Sequence, residues 1–83
     1  MGFFTNDRFL LLEKLYEHQI EVSGVIFVPV TQTELANLMS CSKVKINKLL
    51  GELMENGYVE VYNNTKGRYQ LTENGLKAIK KYS

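Results

Sequence analysis

The segment TQTELANLMSCSKVKINKLLGELMENG, residues 31–57, constrains this chain more than any other. Thr31-Gln32-Thr33-Glu34 is a capping box: the Thr31 hydroxyl accepts from the Glu34 backbone and the Glu34 carboxylate reaches back. Leu35, Leu38 and Met39 then form the inner face of a short helix, and Ala36 is small enough to let a neighbour approach. Ser42 is positioned to cap a second helix over 43–56. Its Ile46, Leu49, Leu50, Leu53 and Met54 follow the i, i+3, i+4, i+7, i+8 pattern. Gly57 supplies the left-handed residue that stops it. Two helices joined by so short a turn must pack as a corner, with the second helix held at an angle to the first.

The flanking sequence completes a small domain. Asp7 to about Ile20 reads as a helix, with Thr5 or Asn6 as its cap and Asp7 well placed in the first turn. Phe9, Leu12, Tyr16 and Ile20 form its stripe, and Leu10, Leu11 and Leu15 lie off it. Val25–Val30 is β-branched and reads as a strand, which Pro29 sends to a sheet edge. Tyr58–Tyr62 and Arg68–Leu71 alternate around the turn-rich Asn63–Gly67, and Thr72 caps a last helix. The expected fold is α+β, ordered α-β-α-α-β-β-α with a three-stranded antiparallel sheet, as one domain over residues 1–83.

Composition removes several classes. With 45% hydrophobic and 23% charged residues the 83-residue chain is not of disordered type. The longest apolar run, Val25–Val30, falls far short of the ~20 residues that span a bilayer. No signal peptide is legible, and a lone cysteine fits a reducing compartment, so a cytoplasmic domain is expected. His18 has no second ligand at metal spacing, and no nucleophile–base pair or phosphate loop is present. Neither metal nor cofactor is expected, and an enzyme is not.

Thr31–Val59 resembles the DNA-binding segment of winged helix-turn-helix regulators, including the MarR-like and Crp-like groups. Their usual form is a capped T/S-x-x-E-L-A helix, a G-V-S turn, a basic recognition helix and an E-x-x-G-Y/L-I/V exit. Tyr69–Leu76, YQLTENGL, looks like the Y-x-L-T-x-x-G that leaves the wing in the same proteins. Ser40 departs from the glycine common at the first turn position. In a left-handed backbone it costs about 1 kcal/mol relative to glycine. Cys41 takes a turn position where the resembling proteins bury a small apolar residue, and cysteine packs as one.

Charge agrees with the resemblance. Residues 1–42 set Arg8 and Lys14 against Asp7, Glu13, Glu17, Glu21 and Glu34. Residues 43–83 set Lys43, Lys45, Lys48, Lys66, Arg68, Lys77, Lys80 and Lys81 against Glu52, Glu55, Glu60 and Glu73. Within 43–48, KVKINK, three lysines stand without an acid at a helix N-terminus, where cations are unfavourable. Contact with DNA phosphate accounts for them. Asn47 has the chemistry to read adenine, lysine to reach guanine, and Val44 to touch a thymine methyl. The expected DNA-contacting set is Thr31, Gln32, Ser42, Lys43, Val44, Lys45, Asn47 and Lys48, with Asn64, Lys66 and Arg68 from the wing. A dimeric transcriptional regulator is the expected role. Rival roles are a plasmid or phage replication or partition protein, and a winged helix used only for protein contact. Leu10, Leu11, Leu15, Phe3, Phe4, Ile79 and Tyr82 exceed what one small core needs, so a homodimer through the terminal helices is expected.

Overall fold

The computed structural model describes residues 3–4, 6–64 and 67–82, with residue 64 described by its backbone. Helix α1 (Asn6–Glu17) is followed by strands β1 (Ile20–Val22) and β2 (Val25–Phe27), then helices α2 (Gln32–Leu38) and α3 (Lys43–Glu55). Strand β3 (Val59–Val61), a 3-10 turn (Tyr62–Asn64), strand β4 (Tyr69–Leu71) and helix α4 (Glu73–Tyr82) complete the chain. The fold is α+β and winged, as expected from sequence.

The helix-turn-helix is built from two copies of one chain reversal. After α2, the Ser40 and Cys41 N–H groups donate to Asn37 O and Ala36 O, with Ser40 at φ 53°. After α3, the Gly57 and Tyr58 N–H groups donate to Met54 O and Leu53 O, with Gly57 at φ 80°. Both are the paired-bond, left-handed helix ending that satisfies the orphan carbonyls of the last turn. The Thr31–Glu34 capping box is complete, and Ser42 Oγ accepts from Lys45 N at 3.1 Å to start α3. Leu35 and Ala36 of α2 pack against Ile46, Leu49, Leu50 and Leu53 of α3 in the core. Leu38, expected inward, is exposed, and Cys41 is half-buried against the core.

Two expectations for the N-terminal third are corrected. α1 ends at Glu17, where His18 Nδ1 lies 2.8 Å from Lys14 O, and Ile20 begins a strand instead of ending a helix. Its buried face is Leu11, Leu12 and Leu15, while Tyr16 and Ile20 are exposed. A run as apolar as Phe9–Leu12 fits two adjacent stripes equally well, and only packing against α3 and α4 selects one. The strand that sequence missed pairs with β2 through a two-residue loop, Ser23-Gly24, with both φ values positive (53° and 82°). That geometry suits the twist of a tight hairpin.

The sheet also differs in detail from three continuous strands. β1 pairs with β2 and β3 with β4, and among the described residues one bridge joins the two ladders. Val28 and Tyr69 exchange both backbone bonds, at 2.7 and 2.9 Å. Pro29 follows with no N–H to offer, so the third strand stops after one pair.

Thr72 locks the wing to α4. Its Oγ1 donates to Gly57 O at 2.6 Å and accepts from Gly75 N at 3.1 Å, and its N–H donates to Tyr58 O. A β-carbon on Gly75 would lie 2.2 Å from Tyr58 O. The threonine and glycine of the T-x-x-G stretch are thus one device that presses α4 onto the end of α3.

Candidate nucleic-acid interface

The N-terminal half of α3 lies between a groove that reaches Gly67 and Tyr69 and one that reaches Asp7 and Arg8 of α1. Ile46, Leu49 and Leu50 anchor its inner side, which turns Lys43, Val44, Lys45, Asn47 and Lys48 outward. Val44 is 77% exposed, the highest value among the exposed large hydrophobic residues described. A β-branched apolar side chain so exposed near a helix start has no packing role among the described residues.

Two grooves flank this ridge. On the wing side, Thr31, Gln32, Thr33, Lys43, Asn47, Gly67 and Tyr69 line a concavity of about 500 Å³. Four of the residues expected from sequence, Thr31, Gln32, Lys43 and Asn47, are therefore brought to one surface. Thr33 and Gly67 join them without having been singled out from sequence, although Thr33 lies in the same capping turn. The Thr31 hydroxyl is already engaged: it donates to Glu34 Oε1 at 3.1 Å and accepts from Glu34 N at 3.2 Å. On the opposite side, Ser42, Val44, Lys45 and Lys48 share a groove with Asp7, Arg8, Leu49 and Glu52.

The wing base is ordered by aromatic contacts. Phe27 and Tyr62 stack at 4.8 Å, and the Arg68 guanidinium lies 5.6 Å from the Phe27 ring centroid. Tyr62 N donates to Arg68 O at 2.9 Å. Lys66 and the Asn64 side chain lie outside the described residues.

Electrostatics divide the lysines that sequence grouped together. Lys45 Nζ pairs with Asp7 Oδ2 at 2.8 Å, and the hydrogen bond and charge of that carboxylate raise the Lys45 pKa. Lys43 and Lys48 make no salt bridge among the described residues. Farther along α3, Arg8 grips Glu52 with two bonds of 3.1 and 2.9 Å, and its Nη1 donates to Phe3 O at 2.7 Å. The hydrogen bond from Arg8 holds the Glu52 carboxyl below its ordinary range; burial opposes it, and the charges of Arg8 and then Lys48 add to the lowering. Among the described residues, no group of three or more His, Cys, Asp or Glu side chains could hold a metal ion. No helix there is long and apolar enough to cross a membrane.

A Crp-like helix-turn-helix domain profile matches residues 8–79, which takes in α2 and α3 whole and most of α1 and α4. The chain belongs to that family. This Crp-like domain superposes on a transcriptional regulator of the CRP/FNR family from Thermus thermophilus with a TM-score of 0.67 and 28% identity, covering 92% of this chain and 38% of that one. It resembles the reduced (FeII) CO-sensing protein from R. rubrum at TM-score 0.76 and 20% identity, over 94% of this chain and 37% of the other. The reduced form of MarR from E. coli gives 0.72 and 22%, over 94% and 50%. The Crp-like domain thus spans half or less of the length of these three proteins. No curated protein matches it.

Proposed function

We propose that this Crp-like domain binds double-stranded DNA and serves transcriptional regulation. In this reading the N-terminal half of α3 enters the major groove, and the wing meets adjacent backbone or minor groove. The observation that carries it is the exposed Val44, flanked by Lys43, Asn47 and Lys48, all exposed among the described residues. Lys43 and Lys48 supply salt-dependent affinity, Asn47 and Val44 read base edges, and Ser42, Thr31 and Gln32 sit at the helix starts beside them. Asn64, Lys66 and Arg68 are assigned to the wing contact. The likeness to proteins described as transcriptional regulators supports the reading.

The domain acts as a homodimer in this proposal, on ground narrower than the sequence offered. Leu11, Leu15, Phe4 and Ile79 are buried within one chain and are withdrawn from the partner surface. Leu10 and Tyr16 of α1 and Leu76 and Tyr82 of α4 remain exposed.

Titration of the protein into random-sequence duplex at several salt concentrations tests the DNA reading. Affinity should fall steeply and linearly on logarithmic axes, and Lys43→Ala and Lys48→Ala should each reduce the slope by about one unit. Absence of binding at low salt would overturn it and favour a protein-contact role.

A further inference from the structure

Two ion pairs tie α1 to α3, and they differ in character. Arg8–Glu52 is a two-bond pair, three-quarters buried on each side, with Arg8 further anchored to the Phe3 carbonyl. Asp7–Lys45 is a single contact whose side chains are 48% and 47% exposed. It lies at the end of α3 where Lys43, Val44 and Lys48 emerge. The segment 43–48 contains no acid of its own, so α1 supplies one from outside. A half-exposed, single-point pair contributes little to folding. A lysine on its flexible stem can trade such a carboxylate for another anion.

We propose that Asp7 is an intramolecular competitor of DNA phosphate: it withholds Lys45 from the DNA-facing set and so limits both affinity and salt dependence. The inference rests on the reading that α3 meets DNA. Lys43 and Lys48, with no salt bridge among the described residues, bind phosphate directly. Lys45 first has to leave Asp7, and doing so leaves a bare carboxylate close to the polyanion. Both effects favour the closed pair, so Lys45 adds little in the native protein.

The test is a double-mutant cycle on the full chain, with dissociation constants for random-sequence duplex measured over a range of salt. Asp7→Asn should bind about five- to tenfold tighter near 0.1 M salt, and its logarithmic salt slope should steepen by about one unit, as one added lysine–phosphate contact requires. Lys45→Ala alone should change native binding by less than about twofold, yet should abolish the gain when combined with Asp7→Asn. Thermal melts confirm that each variant is folded, and Asp7→Ser, which keeps a helix-start side chain, replaces Asp7→Asn if the latter is not.

Three results would overturn the inference. A gain from Asp7→Asn that persists in the Lys45→Ala background would mean that Asp7 acts only as general charge. A slope already reduced by Lys45→Ala alone would mean that Lys45 reaches phosphate despite Asp7. Weaker binding by Asp7→Asn would mean that the pair positions Lys45 instead of withholding it. Native binding without Asp7–Lys45 coupling contradicts this inference alone, whereas no native binding at low salt contradicts the DNA reading and the inference with it.

Discussion

Ser40 and Gly57 hold equivalent places in two like helix endings, and only one of them is glycine. A side chain at φ 53° crowds its own backbone, which glycine avoids. Ser40→Gly should therefore raise stability by about 1 kcal/mol, read as a higher urea midpoint at unchanged slope. Gly75 poses the opposite case, because its place is fixed by a neighbour instead of by φ. The backbone carbonyl of Tyr58 fills the space that a methyl would need. Gly75→Ala should cost about 1–3 kcal/mol, with α4 displaced from the wing, and the same urea experiment measures it. At this scale the sequence was highly legible. Caps and stops act over three or four residues, so Thr31, Ser42, Gly57 and Thr72 announce themselves. Gly51, in the middle of α3, has no such explanation: a β-carbon there would meet nothing within 4 Å among the described residues.

Elements were legible where one apolar stripe was unambiguous and illegible where it was not. α3 has a single stripe and was read correctly, whereas the inner face of α1 needed α3 and α4 to choose it. The β1–β2 hairpin was missed because three exposed residues, Ile20–Val22, carry no burial signal, and the Ser23-Gly24 turn is their main mark. From sequence Asp7 is a helix-start residue, and its bond to Lys45 joins distant parts of the chain that no local pattern connects. The Arg8–Glu52 pair is a tie of the same kind, and pH exposes it. The Glu52 carboxyl is held below its ordinary range by Arg8, so the folded chain binds that proton more weakly than the unfolded chain. Stability from the pair is full above the ordinary carboxylate range and is lost as pH falls through the depressed pKa. Glu52→Gln should lower the Tm at neutral pH and narrow its gap to the native protein in acid. Parallel melting curves for the two proteins across pH would show that the pair contributes nothing.

Over the whole molecule, aromatic packing consumes much of the apolar surface that first suggested a partner. The Phe3 and Phe4 rings lie 5.3 and 4.7 Å from Tyr58, and Phe4 lies 5.7 Å from Tyr82. Self-association through Leu10, Tyr16, Leu76 and Tyr82 should accordingly be modest. Sedimentation at rising concentration should show a monomer–dimer equilibrium weakened by Leu76→Lys, and monomer alone at every concentration would remove the dimer from the account. The winged fold was legible because a helix corner and a hairpin leave few other ways to close so short a chain. Which lysine of α3 is tied to an acid of α1 was not, since that depends on where α1 comes to rest. The central claim is that the N-terminal half of α3 is the DNA surface, and amide shift mapping with a short duplex tests it most directly. The largest changes should fall on Ser42–Lys48, with smaller ones at Thr31–Thr33 and Gly67–Arg68. Changes centred on Tyr16, Ile20–Ile26 and Leu76, with residues 42–48 silent, would contradict it.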